Sequence, residues 1–200
     1  MLYNPIKTKI FKGNPSITFL VLFSFLFLTL SQVTRAAENP KVLITTNIGN
    51  IEATLLPERA PLTVANFLQL VEEQHYDGLI FHRVIANFMI QAGGYTPQLE
   101  YRDSGKLVRN ESNNRLPNAR GTIAMARTAD PDSASAQFYI NVKDNKHLDY
   151  KDDKPGYTVF GFVTKGMEII EQIALVDTHI KKGMPAVPEQ TILMTSVKKI

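Results

Sequence analysis

One arginine stands out among the residues of this sequence whose type and spacing could support chemistry. Arg83 lies within the apolar run 81–85, and a second apolar run follows at 88–92. Side chains alternate across a strand, so Phe81, Arg83 and Ile85 are expected to share one face. A guanidinium keeps its charge and is rarely buried without a partner. Arg83 therefore either faces water, as a solvated strand arginine does, or lines a pocket that needs a fixed cation.

Other familiar catalytic chemistry has little support in the sequence. The chain has no cysteine, which excludes thiol catalysis, thiolate metal sites and disulfides. Nucleophile-elbow, phosphate-loop and dinucleotide fingerprints are missing as well. The histidines lack paired-ligand spacing, so no metal and no cofactor are expected; they are His75, His82, His147 and His179. The polar candidates that remain beside Arg83 are two glutamines, Gln91 and Gln137.

The elements that must position these side chains are mostly short strands. Apolar alternation and turn residues predict eight strands, over 41–46, 51–56, 81–85, 88–92, 121–126, 137–142, 157–163 and 191–200. A helix is expected to begin at Ala60-Pro61 and a second to cover 166–174. The inward face predicted for the first helix consists of Val64, Phe67, Leu68 and Val71. This pattern favours a mainly β fold, a closed eight-stranded antiparallel barrel capped by two helices.

The first 36 residues differ from the rest in composition. Three lysines precede the uncharged apolar run 17–30, and small residues follow before a polar segment. This order is typical of a secretory signal peptide, and the run is shorter than the ~20 residues of a spanning helix. Cleavage after Ala36 puts Thr34 and Ala36 at the two small-residue positions. We therefore expect a signal peptide over 1–36 and one domain over 37–200; the alternative is an uncleaved membrane anchor.

The net charge of +3 belongs to this leader. Residues 1–36 contain four basic and no acidic side chains, which leaves 18 basic against 19 acidic side chains in the remainder. A domain with a net charge of −1 gives no electrostatic reason to expect a nucleic-acid partner.

Four segments resemble the cyclophilin family. FHRVIANFMIQAGG resembles the family signature FHRVIPGFMIQGGD, while GTIAMAR and SASAQFYINV resemble its GTIAMA and SQFFI segments. GYTVFGFVTKGMEII is similar to the family's VFG-x-V-x-x-GM-x-x-V strand and helix. The segments follow the family order across residues 40–200. The resemblance implies an eight-stranded barrel that catalyses cis–trans isomerisation of X-Pro bonds and, with the leader, a periplasmic bacterial type.

The resemblance also implies a set of site residues. Arg83 matches the family's catalytic arginine, and Gln91 would orient its guanidinium. The substrate-binding positions that it implies are Phe88, Met89, Ala126, Arg127, Gln137, Tyr139, His147, Leu148 and Tyr157. Phe88, Met89 and Tyr139 would form the socket for the proline ring, and the backbone of Arg127 would line the peptide groove. His82 is expected to be a structural residue that faces away from Arg83.

The chain departs from the family pattern at several places. Ala86-Asn87 replaces Pro-Gly, Ala92 replaces a glycine and is expected near the pocket floor, and His147 stands where many members have Trp or Phe. We expect a monomer that binds proline-containing unfolded or extended segments and binds cyclosporin-type ligands weakly. Two alternatives are a secreted binding protein or chaperone in which isomerisation is incidental, and a surface adhesin. The intact pair of Arg83 and Gln91 favours the enzyme.

Overall fold

Eight antiparallel strands form one curled sheet in the computed structural model, which describes residues 38–200. The predicted signal peptide lies outside these residues. Ten strands occur in the described region: β1 Lys41–Thr46, β2 Gly49–Leu55, β3 Phe81–Ile85, β4 Met89–Ala92, β5 Thr122–Met125, β6 Phe138–Asn141, β7 Val159–Lys165, β8 Thr178–Lys181, β9 Met184–Pro188 and β10 Met194–Lys199. The order in the large sheet is β10-β1-β2-β7-β5-β6-β4-β3. All eight predicted strands therefore belong to this sheet.

The β8–β9 hairpin forms a separate two-stranded sheet that the sequence did not predict. No residue of β8 is buried, and Ile180 on this strand is largely exposed. Strand prediction relies on one apolar face that alternates with a polar one. A hairpin without a buried face in its first strand gives no such signal.

The expected closed barrel is wrong, because the sheet is an open half-barrel with β10 and β3 as its end strands. The segments that precede these two strands meet at the bridge between Ile80 and Leu193. A hydrogen bond from the Phe81 N–H to the Ile192 carbonyl, 2.9 Å long, reinforces this contact. The contact is too short to continue the ladder as a strand pair, so the curl of the sheet does not become full closure.

Two helices, α1 Pro61–Glu72 and α2 Met167–Ala174, pack against the sheet, as predicted. The inward face of α1 differs from the prediction at one position, since Leu70 is buried and Leu68 is only half-buried. Phe67 of α1 packs at 5.0–5.6 Å, between ring centroids, against three other aromatic rings: Tyr76, Phe138 and Phe160. Neither helix of residues 38–200 has the length and apolar character needed to cross a membrane.

A register shift in the β3–β4 hairpin sets which residues of β3 face the core. Phe81 pairs with Ala92 and Arg83 pairs with Gln91, so His82 is an extra residue on β3. Such a bulge breaks the simple alternation of side chains. Phe81 is fully buried in the main core, whereas Arg83 is on the other side of the sheet. The expectation that these two side chains share a face is therefore wrong.

Candidate active site

A row of cross-strand partners carries the polar centre of the site. Arg83 on β3 pairs with Gln91 on β4, Gln91 pairs with Tyr139 on β6, and Tyr139 pairs with Ala124 on β5. Adjacent positions on the same strands, including Ile90 and Ile140, point to the opposite face and fill the main core. The alternation of these short strands therefore separates the site from the core.

Ala92 belongs to the core side of this arrangement. It follows Gln91 on β4, is fully buried and lies in the main hydrophobic cluster. The expectation that its methyl group lies near the pocket floor is therefore wrong. Alternation along β4 places that methyl group on the other face of the sheet.

The Arg83 guanidinium is half-buried and held by a chain of side-chain amides. Its Nη1 donates to Gln91 Oε1 at 3.2 Å, and Gln91 Nε2 donates to Gln137 Oε1 at 2.9 Å. Because a guanidinium can only donate hydrogen bonds, it fixes which end of each amide faces which neighbour. Burial lowers the pKa of Arg83, although a guanidinium remains charged in proteins.

No carboxylate of residues 38–200 forms an ion pair with Arg83. Its Nη1 also contacts the Met89 Sδ at 3.9 Å. The site therefore contains a positioned cation whose charge is not cancelled by a neighbouring acid.

The cation borders a cavity of about 190 Å³. The residues that line it are Arg83, Phe88, Met89, Gln91, Ala126, Arg127, Tyr139, Leu148 and Tyr157. Met89 and Tyr139 are buried in an apolar cluster with Ala124 and Val159, and Phe88, Leu148 and Tyr157 pack around it. Pockets for drug-sized ligands are usually ~300–1,000 Å³, so this cavity suits one small apolar group. The structure thus brings together nine of the eleven residues that the sequence predicts for the site.

The other two predicted residues, Gln137 and His147, lie beside the cavity. Gln137 reaches it through its hydrogen bond with Gln91 and lines a neighbouring hollow with Tyr101. His147 is exposed and its ring stacks on Phe88, with 5.5 Å between ring centroids. Both residues are placed to contact a ligand that extends beyond the central cavity.

The side chain of Arg127 forms a wall that the sequence did not predict. Its guanidinium lies over the Tyr157 ring, 4.4 Å from the centroid, and its Nη2 donates to the Pro155 carbonyl at 3.0 Å. Nη1 donates to the Thr128 carbonyl at 2.9 Å, which fixes the side chain further. The sequence assigned only the Arg127 backbone to the site, because contacts between two irregular loops leave no periodic signal.

His82 has a closer link to Arg83 than the sequence suggested. It is almost fully buried, and its ring lies 4.7 Å from the Tyr95 ring. It also contacts the Gln137 side chain, which leads through Gln91 to Arg83. Burial, aided by the charge of Arg83, lowers the pKa of His82 to about 4, so the imidazole is neutral near pH 7.

Comparison with known proteins gives a consistent assignment. Residues 41–199 match the family described as cyclophilin type peptidyl-prolyl cis-trans isomerase. The chain is 45% identical over 163 residues to a peptidyl-prolyl cis-trans isomerase of Acinetobacter baylyi, covering 82% of this chain and 87% of the relative. It is 43% identical over 155 residues to peptidyl-prolyl cis-trans isomerase B of Escherichia coli, covering 76% and 94% of the two chains.

Solved structures agree on the fold. A cyclophilin type peptidyl-prolyl cis-trans isomerase of Cryptosporidium parvum superimposes with a TM-score of 0.68 at 24% identity, covering 81% of this chain and 98% of the other. A crystal structure described as the same protein in the presence of the dipeptide Ala-Pro gives a TM-score of 0.66 at 25% identity, covering 78% and 96%. The chain therefore belongs to the cyclophilin-type peptidyl-prolyl cis-trans isomerases and is an enzyme of that class.

Proposed function

We propose that Arg83 catalyses the isomerisation by donating a hydrogen bond to the proline nitrogen of a twisted X-Pro amide. Rotation about this bond takes tens of seconds without a catalyst, because the amide loses its resonance as it twists. In the twisted state the nitrogen becomes pyramidal and gains a lone pair. A donor fixed beside it stabilises the twisted state and hardly affects the planar ones, which lowers the barrier.

The energy required is within reach of such a donor. A ~10⁴-fold acceleration corresponds to roughly 5.5 kcal/mol of barrier. A charge-assisted hydrogen bond in a partly dry site, together with restraint of the bound peptide, can supply energies of this size. The observation that carries the proposal is the uncancelled Arg83 guanidinium, held by Gln91 at the edge of a small apolar cavity.

The proline ring is proposed to occupy that cavity, against Phe88, Met89 and Tyr139 and beneath Leu148. The use of Ala-Pro with the Cryptosporidium parvum protein supports a ligand of this kind. The Ala126 N–H already donates to the Gln137 carbonyl at 2.9 Å. The N–H and carbonyl of one strand residue point to the same side, so a peptide that pairs with this edge would use the backbone of the next residue, Arg127. The side chains of Arg127 and Tyr157 would form the far wall. Gln137 and His147 would contact the flanking residues.

The substrates are proposed to be proline-containing segments of exported proteins whose folding waits for X-Pro isomerisation. The support for export is the composition of residues 1–36, with its basic start, short apolar run and small-residue end. We propose that the enzyme acts in the periplasm, as a monomer. Such an enzyme would accelerate the slow X-Pro isomerisation steps in the folding of these proteins.

Replacement of Arg83 tests the catalytic role. We expect Arg83→Ala to fold normally and to lose about 10²–10³-fold in kcat/KM, as expected when a transition-state donor is removed. The measurement is a protease-coupled or NMR exchange assay on an X-Pro peptide, with circular dichroism as the folding check. Arg59→Ala is the matched control, because Arg59 is exposed and bonds a backbone carbonyl outside the site. Full activity of folded Arg83→Ala would overturn the mechanism.

A further inference from the structure

Three asparagines are buried next to the proposed proline cavity without lining it. Asn118 and Asn145 are each 1% exposed, and Asn141, at the end of β6, is fully buried. They lie outside the set of residues that forms the cavity wall. Burial of an amide is costly unless it is hydrogen-bonded, so these side chains require partners inside the protein.

Those partners connect two of the residues that line the cavity, Tyr139 and Phe88. The Tyr139 hydroxyl donates to Asn118 Oδ1 at 2.7 Å, and Asn141 Nδ2 donates to the same oxygen at 3.3 Å. Asn145 Nδ2 then donates to Asn141 Oδ1 at 2.7 Å and to the Phe88 carbonyl at 2.9 Å. A continuous path of hydrogen bonds therefore runs from Tyr139 to the backbone of Phe88.

The same network also holds Leu148, a third residue that lines the cavity. The Leu148 N–H donates to the Asn145 carbonyl at 2.9 Å. Asn118 donates its backbone N–H, at 2.6 Å, and its side-chain Nδ2, at 3.2 Å, to Asp149 Oδ1. Leu148 is thus held by its own N–H, through Asn145, and by the next residue, Asp149, through Asn118. Tyr139, Phe88 and Leu148 come from separate segments, and one network connects all three.

We propose that Asn118, Asn141 and Asn145 are positioning residues that hold this cavity in the shape that binds the proline ring, a role that rests on the proposed function. Apart from Asn145 Oδ1, which is buried without a partner, every side-chain amide atom of the three asparagines is hydrogen-bonded. Buried polar groups that are paired in this way favour one arrangement of the elements they join. Preorganisation improves affinity because less freedom is lost on binding. The network therefore contributes to substrate binding without touching the substrate.

The network acts on binding rather than on the chemical step. Arg83 donates to Gln91 on β4, and Gln91 donates in turn to Gln137, which precedes β6. These hydrogen bonds share no residue with the asparagine network. Loosening the cavity leaves the donor in place, so KM rises while kcat changes little. Loss of global stability would instead reduce the amount of active enzyme and leave KM unchanged.

Two nearly isosteric variants test this inference. Asn145→Asp replaces the donor Nδ2 with an oxygen that cannot donate to Phe88 or Asn141, and Tyr139→Phe removes only the hydroxyl. With kcat and KM measured by NMR exchange on an X-Pro peptide, we expect KM to rise about five- to tenfold for Asn145→Asp and about two- to threefold for Tyr139→Phe. For Asn145→Asp, which does not line the cavity, we expect kcat to stay within about twofold of the parent value.

Val42→Ala is the matched control, because Val42 is fully buried in β1 and belongs to the main core rather than to the cavity. We expect this variant to lower the urea midpoint without raising KM. An unchanged KM in folded Asn145→Asp and Tyr139→Phe, or an equal rise in Val42→Ala, would overturn the inference. Arg83→Ala separates this failure from that of the proposed function, since loss of activity there with normal KM in Asn145→Asp rejects the network alone.

Discussion

The Arg83 guanidinium combines two properties that a transition-state donor requires. Gln91 holds it from one side, which leaves other N–H groups free to face the cavity. Its charge also has no carboxylate partner within residues 38–200. A carboxylate partner would occupy the N–H groups of the guanidinium and neutralise its charge before the transition state forms. An amide oxygen orients the guanidinium and leaves its charge available.

His82 is expected to make the stability of the protein depend on pH. Its folded-state pKa of about 4 lies below the ordinary value of 6.5, so the unfolded chain binds more protons between these values. This contribution to stability is complete above pH 6.5 and is lost as the pH falls towards 4. We expect the contribution of His82 to the free energy of unfolding to fall by about 2 kcal/mol from about pH 7 to pH 5.

Urea unfolding of the parent and of His82→Gln at both pH values measures this contribution. Glutamine does not titrate, so the variant should lose about 2 kcal/mol less than the parent over the same interval. Burial also lowers the pKa of His75, which acts in the same direction in both proteins and cancels in the comparison. Equal losses in the two proteins would show that His82 does not carry the effect.

His147 is expected to weaken the binding of cyclosporin-type macrocycles. Its ring stacks on Phe88 at the rim, where the family resemblance implies a tryptophan in drug-sensitive members. A smaller ring loses apolar contact at ~25 cal/mol per Å², and a lost hydrogen bond adds roughly 0.5–1.5 kcal/mol. We expect His147→Trp to tighten binding by about 1.5–3 kcal/mol, or roughly ten- to a hundredfold.

Calorimetric titration of both forms with cyclosporin measures this difference. The kcat/KM of His147→Trp should differ little from that of the parent, because a short peptide makes little contact with an exposed rim. Equal affinities would mean that another part of the rim controls the drug. Ala92 is not that part, since its methyl group lies in the main core.

At the scale of elements, the sequence predicted what repeats along the chain and missed what depends on a local irregularity. All eight strands of the large sheet and both helices were predicted, because each has an apolar face with a regular period. The bulge at His82 adds one residue without changing the apolar pattern on either side, so the faces of Phe81 and Arg83 were assigned wrongly. The site residues were predicted from a family resemblance, since periodicity alone did not distinguish pocket from core.

The cap of helix α1 is a second feature that the neighbouring sequence does not predict. Ala60 precedes the helix and provides no side-chain cap. Glu111, from the long polar segment 96–120, accepts hydrogen bonds from the Leu62 N–H at 3.0 Å and from the Thr63 N–H at 2.9 Å. A carboxylate at this end also interacts favourably with the helix dipole. Glu111 therefore caps α1 from a distant segment of the chain.

Removal of this remote cap is expected to destabilise the fold. We expect Glu111→Ala to lower the free energy of unfolding by about 1–2 kcal/mol, the usual cost of losing a helix cap. Glu111→Gln keeps the shape but not the charge and should cost about 0.3–1 kcal/mol. Urea unfolding measures both, and Glu58→Gln, an exposed position three residues before α1, should change stability by less than about 0.5 kcal/mol. A loss in Glu58→Gln as large as that in Glu111→Ala would contradict the cap.

At the scale of the molecule, the segment 96–120 connects parts that are distant in sequence. It supplies Glu111 to α1 and Asn118 to the network next to the cavity. The sequence predicted only that such a long polar segment has a function or contains short elements. The Thr63–Glu111 and Tyr139–Asn118 hydrogen bonds join residues 48 and 21 positions apart, and no local pattern encodes partners at that distance. The open form of the sheet was missed for the same reason, since it depends on how the two end strands meet.

The predicted signal peptide, residues 1–36, lies outside the described residues. Residues 1–36 carry four basic side chains and no acidic ones, around an apolar run too short for an ordinary spanning helix. Cleavage after Ala36 would convert a chain of net charge +3 into one of −1, with Ala37 as its first residue. We expect the exported protein to have the intact mass and amino-terminal sequence of residues 37–200. Recovery of the full chain in the membrane fraction would support the uncleaved anchor instead. Replacement of Ala36 by a bulky residue should block processing, because the peptidase requires small side chains at this position.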